Sequence, residues 1–173
     1  YLGQIADLKI DAIFVMETGA DAVRFTQQFA SFGLKGKIPL LGAMNMTDQS
    51  VIRTMGPEVE GIISAAHFAE GSNTAATKSF VDAYTQKYEK IPSLYGFSMY
   101  SGMMWVTRAI EKLNGKIDDK AAFLQGVFNT ELTDSPLGKP VKLDKYGNPV
   151  YDVMIRKAVK RSDGDRKSTR LNS

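Results

Sequence analysis

Asp11-Ala-Ile-Phe-Val-Met16, then Glu17-Thr-Gly-Ala-Asp21, then Ala22-Val-Arg-Phe-Thr-Gln-Gln-Phe-Ala-Ser-Phe-Gly33 is the stretch that decides the fold. A short continuous apolar run bounded by polar residues predicts a parallel strand covered on both faces. Ala22, Phe25, Phe29 and Phe32 then recur at spacings of three, four and three, which predicts a helix with one apolar stripe, stopped by Gly33. Strand, polar break and amphipathic helix together make one strand-to-helix unit.

The unit repeats downstream. Ile38-Pro-Leu-Leu-Gly-Ala43 reads as a second buried strand with Pro near its start, and Thr47 or Asp48 caps a short helix through Met55, closed by Gly56-Pro57. Residues 60–66, Glu-Gly-Ile-Ile-Ser-Ala-Ala, read as a third strand ending in His67-Phe68. Alternating strands and helices with connections of crossover length predict a parallel sheet flanked by helices. Three helices follow: one capped by Asn73 or Thr74 and running to about Lys90, one over Tyr95–Leu113, and one starting at Asp118 or Asp119 and running through about Asn129. Val141–Leu143 and Val150–Ile155, around a turn over Asp144, Gly147, Asn148 and Pro149, predict a short C-terminal hairpin.

Composition narrows the functional classes. The 173 residues are 43% hydrophobic and 24% charged, with no Cys, one His and one Trp. A chain of this length buries roughly 70% of its unfolded surface, enough for a core without disulfides or metals. That amounts to one compact domain, and no apolar run is long enough to span a bilayer. The formal charge of +3 is concentrated at one end: residues 156–173 hold seven basic residues against Asp163 and Asp165, leaving 15 basic and 17 acidic elsewhere. A mildly acidic body gives no support to nucleic-acid binding. The chain opens at Tyr1 without a signal-peptide pattern and reads as part of something longer. Residues 161–173 have no apolar periodicity and are expected to be a disordered or non-native tail; Lys167-Ser-Thr-Arg-Leu-Asn-Ser173 resembles translated adapter sequence.

In an open parallel sheet, ligands sit beyond the carboxyl ends of the strands. The loops there are Glu17–Asp21, Met44–Thr47 and His67–Gly71. Glu17 can face a ligand ammonium, and Thr18 with the amides near Gly19 can hold a carboxylate at a helix N-terminus. The plainer reading is that Thr18 and Asp21 cap the helix and Glu17 is solvated. No dinucleotide fingerprint, phosphate loop, His-x-x-x-His or Gly-x-Ser-x-Gly occurs, so no cofactor, metal or catalytic group is expected. His67, the sole imidazole, reads as a hydrogen-bonding or packing residue, with Glu70 within pairing reach. Tyr95 and Phe97, at the start of a helix dense in Met and aromatics, can reach a cleft, whereas Met103, Met104 and Trp105 read as helix-to-sheet packing.

The order of Asp11-Ala-Ile-Phe-Val-Met, Gly19-Ala-Asp-Ala-Val-Arg-Phe, Phe32-Gly-Leu-Lys, Ile38-Pro-Leu-Leu-Gly, Glu60-Gly-Ile, His67-Phe-Ala-Glu-Gly, Phe80-Val-Asp-Ala-Tyr, Pro92-Ser-Leu-Tyr and Leu143-Asp-Lys-Tyr-Gly-Asn148 resembles the second half of a type I periplasmic binding protein. More narrowly, it is similar to substrate-binding components of ABC transporters of the branched-chain (Leu/Ile/Val-binding) amino acid class. The resemblance implies an α/β lobe over residues 1–160, lobe two plus C-terminal crossing segments, with lobe one missing. It implies a periplasmic or extracytoplasmic protein, made with a signal, that closes on a small amino acid or aromatic carboxylate and delivers it to a permease without cofactor or catalysis.

Carried across residue by residue, the family's lobe-two contacts fall on Glu17, Thr18 and Gly19 and on Met44 and Asn45. Amino-acid binders of this class usually place an acidic residue in the second loop, where this chain has Met44-Asn45. Relatives with a Gly-Ala-Asp-Ala-Val-Arg-Phe helix start resemble binders of aromatic carboxylates, and Met44, His67, Phe68 and Phe97 suit a flat apolar acid. Two other classes stay open: a ligand-sensing domain of a receptor or regulator, and a flavodoxin-like enzyme fragment.

Overall fold

The computed structural model describes residues 2–162, Gly164 and the strand backbone of residues 166–170. The chain divides into two compact units, Tyr1–Ser72 with Val153–Ser173, and Asn73–Asp152.

The first unit carries α1 (Leu2–Ala6), β1 (Ile13–Val15), α2 (Gly19–Ser31), β2 (Leu40–Gly42), two 3-10 turns (Met44–Thr47 and Gly56–Val59) and β3 (Ile63–Ala66). β1, β2 and β3 are parallel neighbours, with Val15 opposite Gly42 and Gly42 opposite Ser64. Their carboxyl ends therefore lie at one edge of the sheet. α2 ends as its sequence dictates: Phe29 and Ala22 are buried, and Gly33 turns the chain at φ +68°. The core gathers Val15, Ala22, Phe29, Leu34, Leu40 and Ile52.

Three expectations are corrected in this unit. Residues 48–55 form turns rather than a helix: the Asp48 carboxylate takes the Ser50 N–H and hydroxyl at 3.0 and 2.6 Å. Such side-chain bonding competes with helix propagation. β1 is covered on one face only, since Val15 is buried while Phe14 is 70% exposed. A continuous apolar run does not say which of its faces is covered. The strand expected over Val150–Ile155 breaks at residues 151–153; its second part belongs to β7 (Met154–Lys160), which pairs antiparallel with β3, Ala66 opposite Met154. Within the tail, the backbone of β8 (Arg166–Arg170) pairs antiparallel with β7. The open edge of β7 offers ladder partners that depend on backbone groups, not on apolar periodicity. Asp163, Asp165 and residues 171–173 lie outside the described residues.

The second unit holds α3 (Ala75–Tyr88), α4 (Leu94–Lys112), α5 (Lys120–Phe128) and a small antiparallel sheet of β4 (Glu131–Leu132), β5 (Val141–Leu143) and β6 (Pro149–Val150). Each helix is capped by a side chain: Thr74 accepts from the Thr77 N–H, Ser93 from Gly96, and Asp119 from Ala121 and Ala122. Capping of this kind contributes about 1 kcal/mol per helix. Trp105 packs with Leu132 and Val141 and donates its indole N–H to the Val127 carbonyl at 3.0 Å. Met104 packs there too, but Met103, expected to pack, is 61% exposed. Asp144 holds the β5–β6 turn by accepting the Tyr146 and Asn148 N–H groups at 2.8 and 2.9 Å. Those bonds, the Asn148 amide first, hold its carboxyl below the usual carboxylate range.

Candidate functional site

The loops after β1, β2 and β3 leave the sheet at the same edge. The first follows Val15, whose carbonyl accepts the Ala43 N–H at 2.9 Å, so it starts beside the second. Glu17 is half-buried and Thr18 exposed. Thr18 occupies the N-cap position of α2 with extended backbone, yet its side chain makes no capping bond. Gly19 follows at φ +54°, a left-handed conformation that costs a residue with a Cβ roughly 1 kcal/mol. Asp21, the other capping candidate, is ion-paired with Arg24. The plainer reading of this loop as a side-chain cap is thus not realised.

The second loop turns sharply. A Cβ on Gly42 would lie 2.7 Å from the Met46 Cβ, so only glycine lets β2 run directly into the Met44–Thr47 turn. Met46 and Thr47 point inward, while Met44 is 41% exposed and Asn45 half-buried. In the third loop His67 is half-buried and Phe68 fully buried, so Phe68 is a core residue here rather than a ligand wall. Burial, and secondly the charge of Arg156, lowers the His67 pKa, so the imidazole is neutral at pH 7. The Glu70 carboxylate accepts from the Gln49 amide at 2.7 Å, both side chains buried.

Tyr95 and Phe97 belong to the second unit. Tyr95 is 51% exposed on α4, whereas Phe97 is buried edge-on against Phe80, ring centroids 6.1 Å apart, and is likewise a packing residue.

Arg156 escaped the sequence reading. It is 1% exposed, projects from β7 toward the covered face, and donates to Ser64, Phe68, Met44 and Thr47. The signal was present: Met154, Arg156 and Ala158 occupy alternate positions of one strand and face the same side. Counted within a basic C-terminal block, the arginine passes for a solvated charge. Among the described residues, no group of three His, Asp or Glu side chains is disposed to hold a metal ion, and no helix is long and apolar enough to cross a membrane.

The periplasmic binding protein family pattern matches residues 1–165. The chain belongs to that family. Among solved periplasmic binding proteins and their relatives, an ABC transporter substrate-binding protein from Sphaerobacter thermophilus is 27% identical with a TM-score of 0.91, over 99% of this chain and 47% of that one. A solute-binding protein of an ABC transporter from Rhodopseudomonas palustris BisB5, solved with 3,4-dihydroxybenzoic acid, is also 27% identical, with a TM-score of 0.86 over 98% of this chain and 46% of its own. A leucine-binding protein from Thermotoga maritima, 20% identical with a TM-score of 0.77, covers 96% of this chain and 46% of its own and shares the fold. The chain thus spans about half the length of these periplasmic binding proteins. No curated protein sequence matches it.

Proposed function

We propose that this chain supplies one ligand-gripping face of an extracytoplasmic ABC-importer binding protein, which takes up an aromatic carboxylate without transforming it and hands it to a permease. The observation that carries the reading is the alignment of three strand ends at one sheet edge, where Glu17, Thr18, Gly19, Met44, Asn45 and His67 are the proposed contacts. Ligand contact with such loops favours a closed state by differential affinity, with no covalent step. The 27% identity to a relative solved with 3,4-dihydroxybenzoic acid supports an aromatic ligand. So does the second loop, where Met44-Asn45 offers a thioether and an amide and no countercharge for an ammonium. The neutral imidazole of His67 adds a flat, partly apolar surface.

Calorimetry with benzoate, 3,4-dihydroxybenzoate and leucine tests this, on the chain alone and on the chain fused to the remaining part of the Sphaerobacter relative. The expected outcome is binding of an aromatic acid by the fusion and weak or no binding by the chain alone. Leucine bound more tightly than either acid rejects the aromatic reading. Glu17→Gln sharpens the choice: it costs about 1–3 kcal/mol against a ligand ammonium and less than about 0.5 kcal/mol against an acid that has none.

A further inference from the structure

Arg156 stands between two loops that the sequence separates from it by 88 and 112 positions. Its Nη1 donates to the Phe68 carbonyl at 3.0 Å and its Nη2 to the Met44 carbonyl at 2.7 Å. Nη2 also reaches the Thr47 and Ser64 hydroxyls at 3.3 and 3.2 Å, and Nε reaches Ser64 at 3.3 Å. The two hydroxyls are themselves 2.7 Å apart. One rigid, planar fork thus grips the backbone of the loop after β2 and of the loop after β3, next to Asn45 and His67.

We infer that Arg156 is a positioning residue for the ligand-binding edge: its guanidinium fixes the spacing of the loops at Met44 and Phe68, so that both present their exposed groups as one body. The inference rests on the binding reading above for its purpose and on the geometry for its mechanism. At 1% exposure the guanidinium does not touch a ligand itself. Burying it is costly: desolvation lowers its pKa, opposed by the charges of Glu70 and Asp48, which are 8% and 2% exposed. An apolar side chain of similar volume would fill the same space without that cost, and buried charges are often no better for stability than such isosteres. What an isostere lacks is two parallel sets of N–H donors at fixed separation. Lysine lacks them too, being a point charge on a flexible stem.

Backbone amide exchange on the full chain tests the inference in wild type, Arg156→Lys and Arg156→Met. The expected result is exchange about tenfold faster over residues 44–48 and 67–71 in both variants, with α2 amides within about twofold of wild type. In Arg156→Ala, millimolar ethylguanidinium restores the loop protection and ethylammonium does not. Unchanged loop amides overturn the inference. So does exchange raised equally through α2, or loss of the fold in the Lys and Met variants alike, since either makes the arginine a general core element. The affinity arm uses benzoate and the fused protein: equal affinity in wild type and Arg156→Lys despite loosened loops overturns the positioning role. Benzoate bound by neither protein, with loop exchange as expected, overturns the binding reading and leaves the link between the loops standing.

Discussion

The two units bury their distinctive side chains by opposite means. At the strand-end edge of the first, Thr47, Asp48, Ser64, Glu70 and Arg156 are all at most 8% exposed, and hydrogen bonds fix where each group sits. In the second, α3 and α4 bound a groove of about 690 Å³ lined by Phe80, Tyr84, Tyr88, Met99, Tyr100 and Met103. Its rings meet at centroid distances of 4.6 to 5.9 Å, but Met99 and Met103 are 70% and 61% exposed. Polar networks are directional and tolerate little rearrangement, whereas thioethers and tilted rings repack. The contrast teaches that geometric precision resides in the first unit and adaptability in the second.

The contrast can be broken most forcefully at Phe80. This ring is 9% exposed and touches Phe97, Tyr84 and Tyr100, so Phe80→Ala is expected to cost about 3–5 kcal/mol, read as a lowered urea midpoint. Met103→Ala, on the same groove, should cost less than about 0.5 kcal/mol. Equal losses at both positions would mean that the groove is as rigidly packed as the polar edge.

A smaller effect is expected at Thr47→Val. Volume is kept while one hydroxyl leaves the network of Ser64 and Arg156, at a cost of about 1–2 kcal/mol. No measurable loss would show that the directional bonds carry no stability there.

The mildest probe is pH. His67 is neutral in the folded chain because burial, then Arg156, lowers its pKa below 6.5. The unfolded chain binds a proton first as pH falls. Stability is therefore fully present above the unfolded value and declines between it and the lower folded value. A urea midpoint that falls from about pH 7.5 to about pH 5 in wild type, and falls less in His67→Gln, is the expected result.

Much of this was legible from residue order. The three-four-three spacing of Ala22, Phe25, Phe29 and Phe32 and the stop at Gly33 locate α2, because amphipathic period and turn chemistry are local properties. The caps at Thr74 and Asp119 narrow to adjacent pairs for the same reason. What stayed hidden was non-local. Nothing near Phe14 tells that its face is uncovered, and nothing near Phe68 or Phe97 tells that their rings are buried. Arg156 shows the difficulty best: its neighbours Lys157, Lys160 and Arg161 make it look solvated, and only pairing with β3 turns it inward. The break between β6 and β7 follows from the same source, since one strand segment is claimed by two different sheets.

The antiparallel return of β7 beside β3 has a temporal consequence. During synthesis the first 72 residues emerge well before residues 154–160, with the whole second unit made in between. Until then the Met44 and Phe68 carbonyls lack the guanidinium and stay hydrated, and β3 presents an unpaired rim. Closing so long an interval carries an entropic penalty and slows assembly. A nascent chain halted before Met154 is thus expected to hold its strands loosely and to be cut readily by proteases around residues 44–71, gaining resistance only when the last ribbon docks.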